Sequence, residues 1–338
     1  MRILTDRHHA DLLYANQRLF EDRLGIELYV MLGLDWWSAG FWRFGEVFGD
    51  NRLAQQYLNI DAKYKEVEQG VFITFDQCHP ERPLYGVTLQ KAETMKWDFV
   101  LATVQENQYG FKRFAVEANA KYLYYVGNTR QGIDWSLDPW ILDSTSSAKD
   151  PEARIVQISQ EFDHERIFRY REPAFPDWCG ITSFVNLLPQ IPQSWEPFEQ
   201  LNLLMPQRFR SFGHHCPGGF LTPVAAVAEE MAIAKWAYHD KPTGDGFGHV
   251  IHAWAAVGRP LIGHGRFYEG QRAEVFWQDG LTCIDLDKHS IEEVAEIIKS
   301  TDKKQHREMC VNIRNIFDEV YDPVQDAKRV AEFLEVNQ

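Results

Sequence analysis

Residues 241–262 read KPTGDGFGHVIHAWAAVGRPLI. Glycines at 244, 246 and 248 precede an apolar run, and Gly258-Arg259-Pro260 follows it. The preceding KWAYHD, ending at residue 240, has the composition of a strand. The spacing predicts a strand, a glycine-rich turn over 244–248 and a helix from about His249 to Val257. The first N–H groups of such a helix have no partner within it and form the positive end of its dipole. Glycines let a phosphate approach that backbone closely. A plain tight turn with a packing glycine is the other reading of the same spacing.

Working outward, the pattern of alternating strands and helices extends along the chain. RILTD, HADLLYANQRLFEDRLG and IELYV read as strand, helix and strand, with Leu12, Ala15, Leu19 and Phe20 on one helical face and Gly25 at its end. GVFITF, DFVLATV, KYLYYVG and RIVQIS read as further strands of this parallel sheet, and NQYGFKRFAVEANA as a helix. The proline-rich REPAFPDWCG then marks a boundary, giving an N-terminal domain over 1–172. The pattern restarts in a second domain, 173–321. Its expected strands are ITSFVNLL, RFRSFGHH, KWAYHD, RPLIG and LTCIDL, and its expected helices include SWEPFEQLNLLM and VAAVAEEMAIA. Thr222 and Pro223 are expected as N-cap and first-turn proline of the latter helix. Ser290 and Glu293 have the spacing of a capping box for IEEVAEIIKS. A last helix, within 322–338, places Val324, Ala327, Ala331 and Leu334 on one face. The fold class is therefore α/β: two tandem Rossmann-like domains facing a cleft.

Composition sets the limits. The chain has 338 residues, 45% hydrophobic and 14% aromatic, enough to fill two cores. A net charge of -14 does not favour nonspecific binding to nucleic acid or anionic membrane. No stretch approaches the length of a membrane span, and the N-terminus lacks the apolar core of a signal peptide. Five cysteines, Cys78, Cys179, Cys216, Cys283 and Cys310, are widely spaced without a C-x-x-C pair, so free thiols and a cytoplasmic location are expected.

Asp245, Gly246-Phe247-Gly248, the apolar helix and Gly258-Arg259-Pro260 together resemble the donor-binding segment of retaining, two-domain GT-B glycosyltransferases of the group 1, or family 4-like, kind. AEVFWQDGLTCIDL, residues 273–286, resembles the segment that follows in that family, and IEEVAEII takes the place of the next helix. The final helix is similar to the one that crosses back onto the N-terminal domain. The resemblance covers about 100 residues well. It implies transfer of a sugar from a nucleotide-sugar, UDP- or GDP-linked, to an acceptor hydroxyl, with retention and with no metal or other cofactor. The family's acidic residue near the donor sugar corresponds to Asp245, and the amides approaching the diphosphate belong to Gly246, Phe247 and Gly248. His249, at the helix start, is read as a donor-side hydrogen-bond donor.

Two positions depart from the pattern. Ala253 stands where the family has a Glu that holds the ribose, and the neighbouring His252 points elsewhere on a helix. NLLPQIPQSW lacks the basic residue that binds diphosphate, so Lys241, Arg210 or Arg266 is expected to substitute. His214, in GHHC at a strand end, is a further donor-side candidate; adjacent histidines do not easily close a tetrahedral site, so no metal site is expected.

On the acceptor side, TDRHHAD (5–11) offers His9 and Asp11 for acceptor binding or proton transfer, against helix capping by Asp6 or Asp11. GLDWWSAGFWRFG (33–45) offers aromatics to stack on sugars or bases, against a packed local core. Asp76, Cys78, His79, Gln105 and Glu106 also follow strands. The expected acceptor is a glycan or lipid-linked glycan. The alternatives are a phage-type enzyme acting on a hydroxymethylated base in modified DNA, a non-catalytic nucleotide-sugar-binding relative and a sugar epimerase.

Overall fold

The computed structural model describes residues 1–6, 10–31, 63–67, 70–74, 84–173, 180–206, 208–242 and 244–335. The chain forms two compact units, Met1–Phe162 with Pro323–Gln338, and Asp163–Asp322.

The first unit contains β1 (Arg2–Thr5), α1 (Ala10–Asn16), β2 (Glu27–Met31), β3 (Lys63–Val67), β4 (Gly70–Thr74), β5 (Leu84–Val87), α2 (Leu89–Glu93), β6 (Phe99–Ala102), α3 (Gln108–Glu117), β7 (Lys121–Val126), β8 (Trp140–Asp143) and β9 (Arg154–Gln157). Helix α1 continues as a π-helix over Gln17–Arg23, and Gly25 behind it takes a left-handed φ of 64°. The described strands form one sheet in the order β3-β4-β5-β2-β1-β6-β7-β8-β9. From β5 to β9 every pairing is parallel. Strand β4, expected as part of the parallel sheet, instead pairs antiparallel with both β3 and β5. KYKEV carries no apolar alternation, and WILD is four residues long, so β3 and β8 have weak sequence signals.

Both sheet faces are covered, which is why the parallel strands are apolar at consecutive positions. Ile3, Leu28, Leu101, Leu123 and Leu142 share one core with Leu12 and Phe20. Leu4, Val100, Tyr124 and Ile141 share another with Phe111 and Ala115 of α3.

In the second unit, β10 (Gly180–Ser183), α4 (Pro192–Leu204), β11 (Phe209–Ser211), α5 (Val224–Ile233), β12 (Ala234–Tyr238), α6 (His249–Val257), β13 (Leu261–Gly263), β14 (Cys283–Asp285), α7 (Ile291–Ser300) and α8 (Lys303–Val320) follow in turn. The sheet is wholly parallel, ordered β11-β10-β12-β13-β14. Counted within this unit the order is 2-1-3-4-5, so the crossover direction reverses between β10 and β12. Ligands of such sheets bind beyond the carboxyl ends of the strands at that switch point.

Ser290 accepts from the Glu293 amide while the Glu293 side chain accepts from Ser290, so the capping box forms as expected. The N-cap of α5 is Pro223 rather than Thr222, and no side chain caps it. Residues 163–171 pack within the second unit, with the His164 ring 5.0 Å from Tyr321 and the Arg171 guanidinium on Glu229. The last helix, α9 (Pro323–Leu334), buries Ala327, Val330, Ala331 and Leu334 in a core of the first unit. Val324 is 51% exposed, so the expected apolar face is corrected: Val330 occupies it and Val324 does not, because the buried stripe falls on 327, 330, 331 and 334.

Candidate active site

Strand β12 ends at Tyr238 beside the switch point, and residues 239–248 leave it toward the start of α6. The amide of Gly244 bonds the Lys241 carbonyl at 2.8 Å, and that of Gly248 bonds the Asp245 carbonyl at 3.1 Å. Gly244, Gly246 and Gly248 have φ of 64°, 65° and 72°, whereas Asp245 and Phe247 keep negative φ. Only glycine takes the left-handed region without a steric penalty. Alternating signs of φ turn successive N–H groups to one side, the backbone arrangement that makes an anion-binding concavity. Among the described residues the amides of Gly246 and Phe247 make no hydrogen bond. The N-terminus of the nine-residue α6 follows directly.

Asp245 is held at three points. His239 Nε2 lies 2.8 Å from Oδ2, and the Lys241 ammonium bonds Oδ1. Its amide donates to Gln271 Oε1 at 3.2 Å, and Gln271 Nε2 in turn donates to the Phe267 carbonyl at 2.8 Å. A Cβ at position 244 would meet the Gln271 side chain, so Gly244 also makes room for this clamp. Burial pushes the Asp245 carboxyl up, but the Lys241 charge and the His239 hydrogen bond outweigh it and hold the group far below the usual carboxylate range. The site therefore presents a fixed anion beside unpaired amides.

A second pair stands at the same strand ends. Asp240 is fully buried, and its two oxygens lie 2.9 and 3.0 Å from His264 Nδ1; the His264 amide also donates to Asp240, at 2.8 Å.

The sequence candidates divide accordingly. Lys241, Asp245, Gly246, Phe247 and Gly248 share one turn. Phe247 is buried and stacks on His252 at 4.0 Å. His249 opens α6, half-buried, its ring edge-on to Phe168 at 6.4 Å. His214 is exposed at the end of β11, its amide bonded to Asn186 Oδ1 at 3.0 Å. Arg210 in β11 pairs with Glu230 of α5 at 2.5 Å, so its guanidinium is engaged with a crossover helix and is not part of the Asp245 group. Arg266 pairs with Asp287.

Ala253 is buried inside α6. His252 is buried too, and burial lowers its pKa to about 3, which makes it a neutral core ring. Asp6, weighed as a helix cap, instead accepts from the Thr103 and Val104 amides, the Thr103 hydroxyl and Asn107, tying β1 to the segment after β6. His9, the 33–45 stretch, Asp76, Cys78 and His79 lie outside the described residues. His239, Asp240, His264 and Gln271 escaped sequence reasoning; the His-Asp pair closing KWAYHD was the available signal for two of them.

Among the described residues no group of three or more His, Cys, Asp or Glu side chains is placed to hold a metal ion. Among the same residues no helix is long and apolar enough to cross a membrane.

No family model matches the sequence, and no curated protein matches it by sequence. Solved structures do match the fold. HepE from Anabaena, in complex with UDP and glucose, has a TM-score of 0.61 and 13% identity, covering 99% of both chains. Sucrose-phosphate synthase from Thermosynechococcus elongatus has a TM-score of 0.61 and 10% identity over 99% of this chain and 98% of its own. The pneumococcal O-GlcNAc transferase GtfA, in complex with UDP and GlcNAc, has a TM-score of 0.57 and 10% identity over 99% of this chain and 98% of its own. At these identities the likeness concerns architecture: the chain has the α/β GT-B fold of these glycosyltransferases, built from two Rossmann-like units.

Proposed function

We propose that the chain is a glycosyltransferase that moves a sugar from a nucleotide-sugar to an acceptor hydroxyl, with retention and without a metal. The observation that carries this reading is the 244–248 turn at the end of β12, with alternating φ, unpaired amides and an adjacent fixed carboxylate. The diphosphate lies over the amides of Gly246 and Phe247 and the positive end of α6, while the Gly248 amide, bonded to the Asp245 carbonyl, closes the turn. Lys241, beside Asp245, supplies the positive side chain missing from the segment after β10. These groups offset charge developing on the leaving diphosphate. Asp245, ionised across the ordinary pH range, faces the donor sugar. His249 and His214 flank the donor.

UDP is the favoured donor nucleotide, since HepE and GtfA were both solved with UDP. The acceptor is a glycan or lipid-linked glycan, and His9 is proposed to act on the acceptor side.

Isothermal calorimetry with UDP-glucose, UDP-GlcNAc, GDP-mannose and ADP-glucose, followed by a donor-hydrolysis assay, tests the reading. Binding and slow hydrolysis of one donor, abolished in Asp245→Ala with the fold intact, support it. Failure of every donor to bind or turn over would sink it.

A further inference from the structure

Strand β12 runs out into two adjacent residues, His239 and Asp240, that engage different partners. Successive residues of extended chain point to opposite sides, and each here starts its own imidazole–carboxylate pair. In the first, the imidazole is the buried member and the carboxylate the open one: His239 is 1% exposed and Asp245 13%. In the second the order reverses: Asp240 is 0% exposed and His264 12%. A buried partner orients an accessible one in both, so the same strand ends present one positioned carboxylate and one positioned imidazole.

The chemistry of the second pair follows from its partners. Asp240 accepts the Nδ1 hydrogen of His264 and also the His264 amide, which fixes the ring and the backbone that bears it. In the tautomer that donates Nδ1–H to Asp240, Nε2 carries the lone pair of the ring. Among the described residues Nε2 makes no hydrogen bond. Such a lone pair has no complement in a phosphate oxygen, which only accepts. It suits a group that donates, such as a hydroxyl. The ring stands at the carboxyl end of β13, beside β12, where the ligand of a parallel sheet lies.

We propose that His264 reads the transferred sugar: Nε2 accepts a hydrogen bond from one of its hydroxyls, and Asp240 is the positioning residue that holds the tautomer. This rests on the glycosyl-transfer reading above. It adds a specificity-determining residue to that site and separates the labour, with the 244–248 turn taking the diphosphate and His264 taking a sugar hydroxyl.

Calorimetry on the full chain tests it, with UDP, UDP-glucose and the 2-, 3-, 4- and 6-deoxyfluoro analogues of UDP-glucose as probes and the matching GDP-mannose set in parallel. Fluorine replaces the hydroxyl without donating. Wild type is expected to bind one analogue about tenfold more weakly than the parent. His264→Ala is expected to lose about tenfold for the parent sugar nucleotide, to keep wild-type affinity for the free nucleotide and to discriminate no longer at the hydroxyl whose replacement weakens wild type. His264→Gln, which retains an acceptor, should recover part of the loss. Should His264→Ala fold poorly by circular dichroism, the wild-type analogue series and His264→Gln carry the test.

Equal losses for nucleotide and sugar nucleotide in His264→Ala, or discrimination at that same hydroxyl that persists in full in His264→Ala, would overturn the assignment while leaving glycosyl transfer standing. Wild type that binds no nucleotide or sugar nucleotide overturns both.

Discussion

The His239 imidazole places Nε2 2.8 Å from Asp245 Oδ2, and it does so from a fully enclosed position behind the carboxylate. Together with Lys241 it keeps Asp245 ionised where burial alone would protonate it. A depressed carboxylate contributes stability above its unfolded value, about 3.9, and loses it as pH falls toward the depressed folded value. The stability difference between wild type and Asp245→Asn should therefore be constant from about pH 5 to 8 and shrink below about pH 4. Denaturant melts at several pH values measure this; a difference that grows on acidification would refute the assigned sign. In the proposed reaction the same variant should lower kcat by about 100-fold or more while leaving UDP binding in place.

Gly248 has φ of 72°, and a Cβ there would stand 3.2 Å from the Ala273 Cβ. Gly248→Ala is expected to destabilise the protein by about 1–2 kcal/mol and to weaken nucleotide binding by tilting the turn. Gly280, with φ of 75° and open space around it, provides the control. Gly280→Ala should lower the melting temperature and leave nucleotide affinity alone. Equal losses of affinity in both variants would show that the turn has no special role.

Arg259 is completely buried, and among the described residues it has no ion pair with a carboxylate. Its guanidinium donates instead to the carbonyls of Arg171, Ala232, Ala234, Val257 and Gly258. All but the Arg171 carbonyl lie at or next to the C-termini of α5 and α6, where helix carbonyls lack internal partners and a cation is favoured. Arg259→Met removes this donor from all five, and about 3 kcal/mol or more of destabilisation is expected. Arg259→Lys, with three donors, should recover only part. Urea titration of the two variants decides this, and a near-neutral Arg259→Met would refute the clamp.

Burial lowers His252 to about 3 and His306 to about 4. A base depressed in the fold adds stability that is full above its unfolded value, about 6.5, and is lost as pH falls toward the folded one. Thermal stability should thus decline between pH 6.5 and 4. His252 stacks on Phe247 and meets Phe276 edge-on, so His252→Phe preserves the ring contacts but cannot titrate. Its melting temperature should vary less with pH across that interval. An unchanged slope would remove His252 as a source of acid sensitivity.

Cys310 lies 3.6 Å from His306 Nδ1, yet burial pushes its thiol up to about 12, so the pair is not an activated nucleophile. Cys216 and Cys283 are buried as well, and burial raises both. Alkylation of the native protein at pH 8, mapped by mass spectrometry, should leave all three unlabelled. Rapid labelling of Cys310 would contradict its enclosure.

The turn at 244–248, the helix behind it and the capping box at Ser290 were legible in the sequence because each is a local matter. A few neighbouring residues set the backbone angles and supply their own hydrogen bonds, whatever surrounds them. The α/β class followed from the same periodicities, and the resemblance around Asp245 pointed to GT-B. Tertiary structure decided the rest. His264 meets Asp240, and Gln271 meets Asp245, only because the sheet order sets β12 beside β13. Arg210 looked like a free cation until α5 brought Glu230 to it, and Val324 looked like core until α9 turned its stripe toward Val330. The antiparallel pairing of β4 had no local mark, since a strand's own residues fix its extended shape but not the direction of its neighbour. Local conformation is encoded residue by residue; which side chain orients which is set by the order in which strands lie side by side.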